Sequence, residues 1–63
     1  LFEDLNKEEQ IIVGLFAHDD RIGLDEISLR AEMPISQITA LLLSLEFKGA
    51  VISLPGKIYQ LSH

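Results

Sequence analysis

The chain has 63 residues, with ten acidic against five basic side chains, a net charge of −5 and no cysteine. One domain near the lower size limit for independent folding fits that length, since so short a chain buries only about 60% of the surface it exposes when unfolded. Without cysteine, disulfides and thiolate metal sites are excluded, and the acidic balance, with a pI near 4.7, argues against strong autonomous binding to duplex nucleic acid, whose non-specific affinity comes from clustered Lys and Arg.

Residues 1–5, Leu1-Phe2-Glu3-Asp4-Leu5, are expected to be the end of a linker, and 6–63 the folded domain. Asn6-Lys7-Glu8-Glu9 has the form of a capping box, in which Asn6 accepts from the Glu9 amide and Glu9 reaches back to the Asn6 amide. Ile11, Ile12, Leu15 and Phe16 form an apolar stripe of helical period, so a first helix is expected over about 7–17, ended by His18-Asp19-Asp20. Gly14 inside it costs up to about 1 kcal/mol relative to Ala unless close packing requires it. Ile22-Gly23-Leu24 is a brief extended stretch. Asp25 is a good N-cap for a second helix, with Ile27, Leu29 and Ala31 as its apolar contributors. Met33-Pro34 stops that helix, because proline disfavours helical geometry in the residue before it.

A third helix begins around Pro34 to Ser36 and ends at Lys48-Gly49, where Gly49 can take the left-handed conformation that closes it. Val51 to Leu54 and Lys57 to Leu61 are strand-like runs around Pro55-Gly56, a pair suited to a tight turn with positive φ at the glycine. Three helices followed by a short two-strand wing hairpin make an α+β winged helix-turn-helix, an architecture that usually reads DNA through its third helix.

That helix sets architecture against electrostatics. At about 100° per residue, Ile38, Leu41, Leu42 and Leu45 share one arc and form the core side. The opposite arc collects Ser36, Ala40, Leu43 and Phe47, flanked by Gln37 and Ser44 on one side and by Thr39 and Glu46 on the other. A DNA reader would carry Arg, Lys, Asn or Gln on this outer surface. Here Ala40, Leu43 and Phe47 form a hydrophobic stripe, and apolar anchors one turn apart are the grammar of helix-mediated docking. The expected partner-binding residues are therefore Ala40, Leu43 and Phe47, facing a second copy, a preceding domain or a partner's helix. The alternatives are that the first helix or the wing covers the stripe as ordinary core, or that the helix binds duplex DNA weakly through Gln37, Ser44, Lys48 and the wing residue Lys57. Tyr59 is expected to pack on the core rather than to stack on a base.

No catalytic constellation, metal site or cofactor motif is expected. His18, Asp19 and Asp20 are consecutive and cannot converge on one ion. The four glycines are isolated, so no phosphate loop exists. Acidic pairs such as Glu8-Glu9 and Asp25-Glu26 sit at helix starts, where capping explains them. The hydrophobic fraction of 48% is high for a small domain and favours a well-filled core or an extra apolar face, yet no apolar run approaches the roughly 18–20 residues needed to span a bilayer. The chain opens at Leu1 with no signal-peptide pattern, so it is expected to be a C-terminal piece of a longer cytoplasmic protein.

Leu5-Asn6-Lys7-Glu8-Glu9-Gln10-Ile11-Ile12 resembles the opening of the C-terminal winged-helix domain of the DprA/Smf family of bacterial DNA-processing proteins. So do Ile22 to Ile27, Met33 to Ile38, the block Ala40 to Val51 with its Leu45-Glu46-Phe47-Lys48-Gly49-Ala50-Val51 core, and the wing Leu54-Pro55-Gly56-Lys57-Ile58-Tyr59. The resemblance spans nearly the whole chain. Generic winged helices share the Leu-Glu-x-x-Gly-x-Val frame but usually put charged residues where this chain has Leu43 and Phe47. One departure is Glu32, which stands where the turn between the second and third helices usually carries glycine and implies a turn that is strained or differently shaped.

The resemblance implies a whole protein that binds single-stranded DNA and helps load RecA onto it in natural transformation. It also implies a preceding Rossmann-like domain that carries the DNA-binding and dimerisation surfaces, with this domain as a non-catalytic accessory.

Overall fold

The computed structural model describes residues 5–62. The order is α1 (Lys7–Leu15), β1 (Arg21–Gly23), α2 (Leu24–Ala31), α3 (Ile35–Phe47), β2 (Val51–Leu54) and β3 (Ile58–Leu61). The expected three helices are present and the fold is an α+β winged helix. Residues 1–4 of the expected linker end lie outside the described residues, whereas Leu5 is buried and its carbonyl accepts from the Gln10 side chain at 3.0 Å.

The sheet has three strands rather than the two expected of the wing, all antiparallel, in the order β1-β3-β2. Ile22 pairs with Tyr59 and is buried, and the Leu24 amide donates to the Lys57 carbonyl at 2.8 Å. Three residues are too few for strand alternation to show in a sequence, so the pairing was legible only as an extended stretch. The same contact moves the start of α2. Its N-cap is Gly23, without a side-chain bond, and Asp25 lies in the first turn beside Glu26, where both acids favour the positive helix end.

Ile38, Leu42 and Leu45 of α3 are fully buried at the centre of the core, with Ile12, Phe16, Ile22, Ile27, Ala50 and Val51 around them. Leu41 and Tyr59 pack against this cluster, as expected for both. Two helices bury slightly different faces than expected. In α2 the inner side is Leu24, Ile27 and Ala31, spaced three and four apart, and Leu29 is 78% exposed. In α1 the buried positions are Glu9 and Ile12, continued by Phe16 just past its end, and Ile11 is exposed. A carboxylate therefore occupies a core-facing slot. α1 also ends before His18. Bonds from Phe16 to Val13 at 3.1 Å and from Ala17 to Gly14 at 3.2 Å span three residues and tighten its last turn.

α3 closes with Gly49 at φ +80. The Gly49 amide bonds to Glu46 at 3.0 Å and the Ala50 amide to Leu45 at 2.8 Å, the paired pattern of a Schellman cap. At the wing tip Gly56 has φ +86 as expected, and Lys57 follows it into the left-handed region at φ +59. Glu32 adopts φ 57, ψ 42, a conformation that places Cβ against the following carbonyl. The turn is held by a Ser28 hydroxyl donating to the Met33 carbonyl at 2.6 Å.

Two backbone substitutions test these local costs. A Cβ on Gly14 would meet nothing within 4 Å, so Gly14→Ala stabilises the domain by roughly 0.5–1 kcal/mol. Glu32→Gly removes the left-handed penalty and, after the entropic cost of glycine, stabilises by up to about 1 kcal/mol. Urea unfolding reads both as raised midpoints at unchanged slope.

Candidate functional site

α3 has three faces. The core face is described above. The second faces α1. Glu9, 1% exposed on its side chain, accepts from the Asn6 amide at 2.9 Å through Oε1, from the Ser44 hydroxyl at 2.7 Å through Oε2 and from Lys48 Nζ at 2.8 Å. Asn6 in turn accepts from the Glu9 amide at 2.8 Å, so the expected capping box is complete. Two turns of α3 before Ser44, Gln37 donates to Glu8 Oε2 at 2.6 Å. Gln37, Ser44 and Lys48 are thus brought together on one flank of α3, and each is engaged by a carboxylate of α1.

The Lys48 ammonium is the main reason that the Glu9 pKa falls from about 4.5 to about 2. Burial works against that shift, and the Asn6 amide and the Ser44 hydroxyl add to it. The sequence shows Glu9 as half of a cap. What it conceals is the second role, because Lys48 lies 39 positions away. The available signal was the spacing of Gln37, Ser44 and Lys48, which places three polar groups on one stripe of α3.

The third face is the outer one. Leu43 is 64% exposed and Phe47 94% exposed, and Ala40 between Ser36 and Leu43 on the same arc is exposed as well. Neither α1 nor the wing covers them. Lys57 is separate from α3, on the exposed wing turn. The remaining cations are dispersed. Arg30 bonds to Asp19 at 2.9 Å and to Glu26 one turn earlier, and the Arg21 guanidinium donates to Gln60 at 3.3 Å. Among the described residues no group of three His, Cys, Asp or Glu side chains could hold a metal ion, and no helix is long and apolar enough to cross a membrane.

The family model for the DprA winged helix domain matches residues 3–57. The chain belongs to that family. The matched region takes in all three helices and β2, and ends inside the wing turn just before β3. No curated protein and no solved structure matches the chain. In this DprA winged helix the third helix keeps the position of a DNA-reading element. Its polar flank is bonded to α1, and its outer surface is apolar.

The Glu9 cluster makes a prediction about stability and pH. Because its pKa is depressed by folding, the stabilisation is complete above about pH 4.5 and is lost as pH falls towards 2. Glu9→Gln keeps the shape and can keep the cap but removes the ion pair. With Lys48 partly solvated, that variant is less stable at pH 7 by about 1–2 kcal/mol. The loss of stability between pH 4.5 and 2 is also shallower than in the wild type, which denaturant midpoints at a series of pH values will measure.

Proposed function

We propose that this domain is a non-catalytic accessory module of a DprA-like DNA-processing protein and that it docks another protein surface through Ala40, Leu43 and Phe47 of α3. The observation that carries this reading is the exposure of Leu43 and Phe47, two large apolar side chains one turn apart on the helix that winged helices commonly present to a partner. Membership in the DprA winged-helix family supports a parent protein that handles incoming single-stranded DNA and hands it to RecA in the cytoplasm during natural transformation. The docking partner is then the parent's preceding Rossmann-like domain or another protein of that process.

Duplex binding through Gln37, Ser44, Lys48 and Lys57 is disfavoured on energetic grounds. Each phosphate contact needs a cation able to displace condensed counterions. Lys48 is already bonded to Glu9, and Gln37 and Ser44 donate to Glu8 and Glu9. Using them would break a buried cluster first, leaving Lys57 as the cation readily offered.

The combined substitution Leu43→Ser, Phe47→Ser tests the proposal. Both positions are exposed, so the domain stays folded with a stability change within about 0.5 kcal/mol per site. In the full-length protein the variant winged helix loses its docked state and tumbles as a small independent unit, which ¹⁵N relaxation detects. Unfolding of the doubly substituted domain would instead make the stripe part of the core. Tight, steeply salt-dependent binding of labelled duplex by the wild-type domain would move the assignment to DNA.

A further inference from the structure

We infer that the outer face of α3 docks a cationic amphipathic helix, with an arginine or lysine of that partner seated between the Glu46 carboxylate and the ring of Phe47. This rests on the docking role proposed above and adds the partner's chemistry to it. Ala40, Leu43 and Phe47 supply an apolar seam along the helix. Glu46 borders the same seam, three residues beyond Leu43 and adjacent to Phe47, and is exposed. No cation among the described residues pairs with it. The neighbouring Lys48 points its ammonium to Glu9 on the other flank.

The helix has no basic residue in its last turn, and the ammonium of its C-cap residue, Lys48, is drawn to Glu9, so Glu46 is the charged side chain on this edge of the seam. Phe47, the last residue of the helix, is 94% exposed. An exposed aromatic ring and an exposed carboxylate on successive residues of one helix end can engage a long guanidinium or ammonium side chain through the ring quadrupole and the anion together. A second copy of this chain is a poor occupant. Each copy carries a net charge of −5, and two Glu46 carboxylates would line one small seam. Duplex DNA is disfavoured by the same field.

Two synthetic amphipathic helical peptides with the same leucine seam test this, one flanked by Arg and Lys and the other by Glu. Each is titrated into the isotopically labelled chain. The cationic peptide is expected to bind at least about tenfold more tightly, a difference of about 1.4 kcal/mol. The amide shifts should centre on Leu43, Glu46 and Phe47, and the preference should shrink as salt rises. Glu46→Gln should flatten the preference and Glu46→Lys should reverse it, while Phe47→Ser should abolish binding of both peptides.

Equal binding of the two peptides, or a preference untouched by the Glu46 substitutions, overturns the cationic partner and leaves docking standing. Shifts centred on the acidic Asp19-Asp20 corner overturn it as well. Concentration-dependent dimerisation of the peptide-free chain that Phe47→Ser removes makes a second copy the occupant. Binding of neither peptide, together with independent tumbling of the wild-type domain in the full-length protein, overturns both readings.

Discussion

The carboxylate of Glu9 joins α1 to α3 and closes the N-terminus of α1 in the same contact. One oxygen accepts from the Asn6 amide and from Lys48, and the other from the Ser44 hydroxyl. A buried carboxylate with fewer partners would be a liability, because the cost of desolvating an ion exceeds what one imperfect contact returns. Here the acceptor sites are used, and no buried side-chain polar atom among the described residues lacks a partner. The position follows from helical geometry. Glu9 lies three residues before Ile12 and seven before Phe16, so it occupies the slot where another core side chain would otherwise sit.

That contact governs what the rest of α3 can do. In a DNA-reading winged helix the polar and basic groups of this helix are held ready for base edges and phosphates. In this chain Gln37, Ser44 and Lys48 face the acids of α1, so the interface that fixes the helix also consumes the side chains a duplex would need. Arg30 is held in the same way by Asp19 and Glu26. The net charge of −5 is therefore accompanied by a particular placement of the cations, several of which are engaged with groups of the same domain.

Much of this organisation was legible in the sequence. The capping box at Asn6 and Glu9, the core arc of Ile38, Leu41, Leu42 and Leu45, the closing Gly49 and the left-handed Gly56 follow from local rules that need only a few neighbouring residues. Glu32 in place of glycine likewise marked a turn either strained or differently shaped, and its φ of 57 shows the strained left-handed form. The differences at β1 and at the start of α2 share a cause, which is that long-range pairing decided them. β1 is a strand because β3 offers Tyr59 and Ile58 to it, not because three residues prefer to be extended. Asp25 is displaced from the cap position because the Lys57 carbonyl takes the Leu24 amide and α2 begins directly from the strand. Ile11 fits the helical period of the α1 stripe and Leu29 the apolar character of α2, yet Glu9 with Ile12 and the spacing of Leu24, Ile27 and Ala31 set the inner faces.

The exposed arc of α3 was legible for a different reason. A helix with Ile38, Leu42 and Leu45 buried in a small core has its opposite side turned away from that core by geometry, whatever residues stand there. Covering Leu43 and Phe47 within the domain would take a further element. Among the described residues, the elements that could supply one are already committed, α1 to the Gln37 flank and the wing hairpin to β1. Apolar side chains on such a surface add nothing to the stability of the isolated domain and increase the apolar area it shows to water. Covering that area by another surface would release the ordered water around it, which is the physical basis of the docking proposed for this face. The acids that hold α3 from one side thus define the kind of surface it presents on the other. With the polar flank occupied internally, what remains outward is a hydrophobic seam bordered by an aromatic ring and a carboxylate.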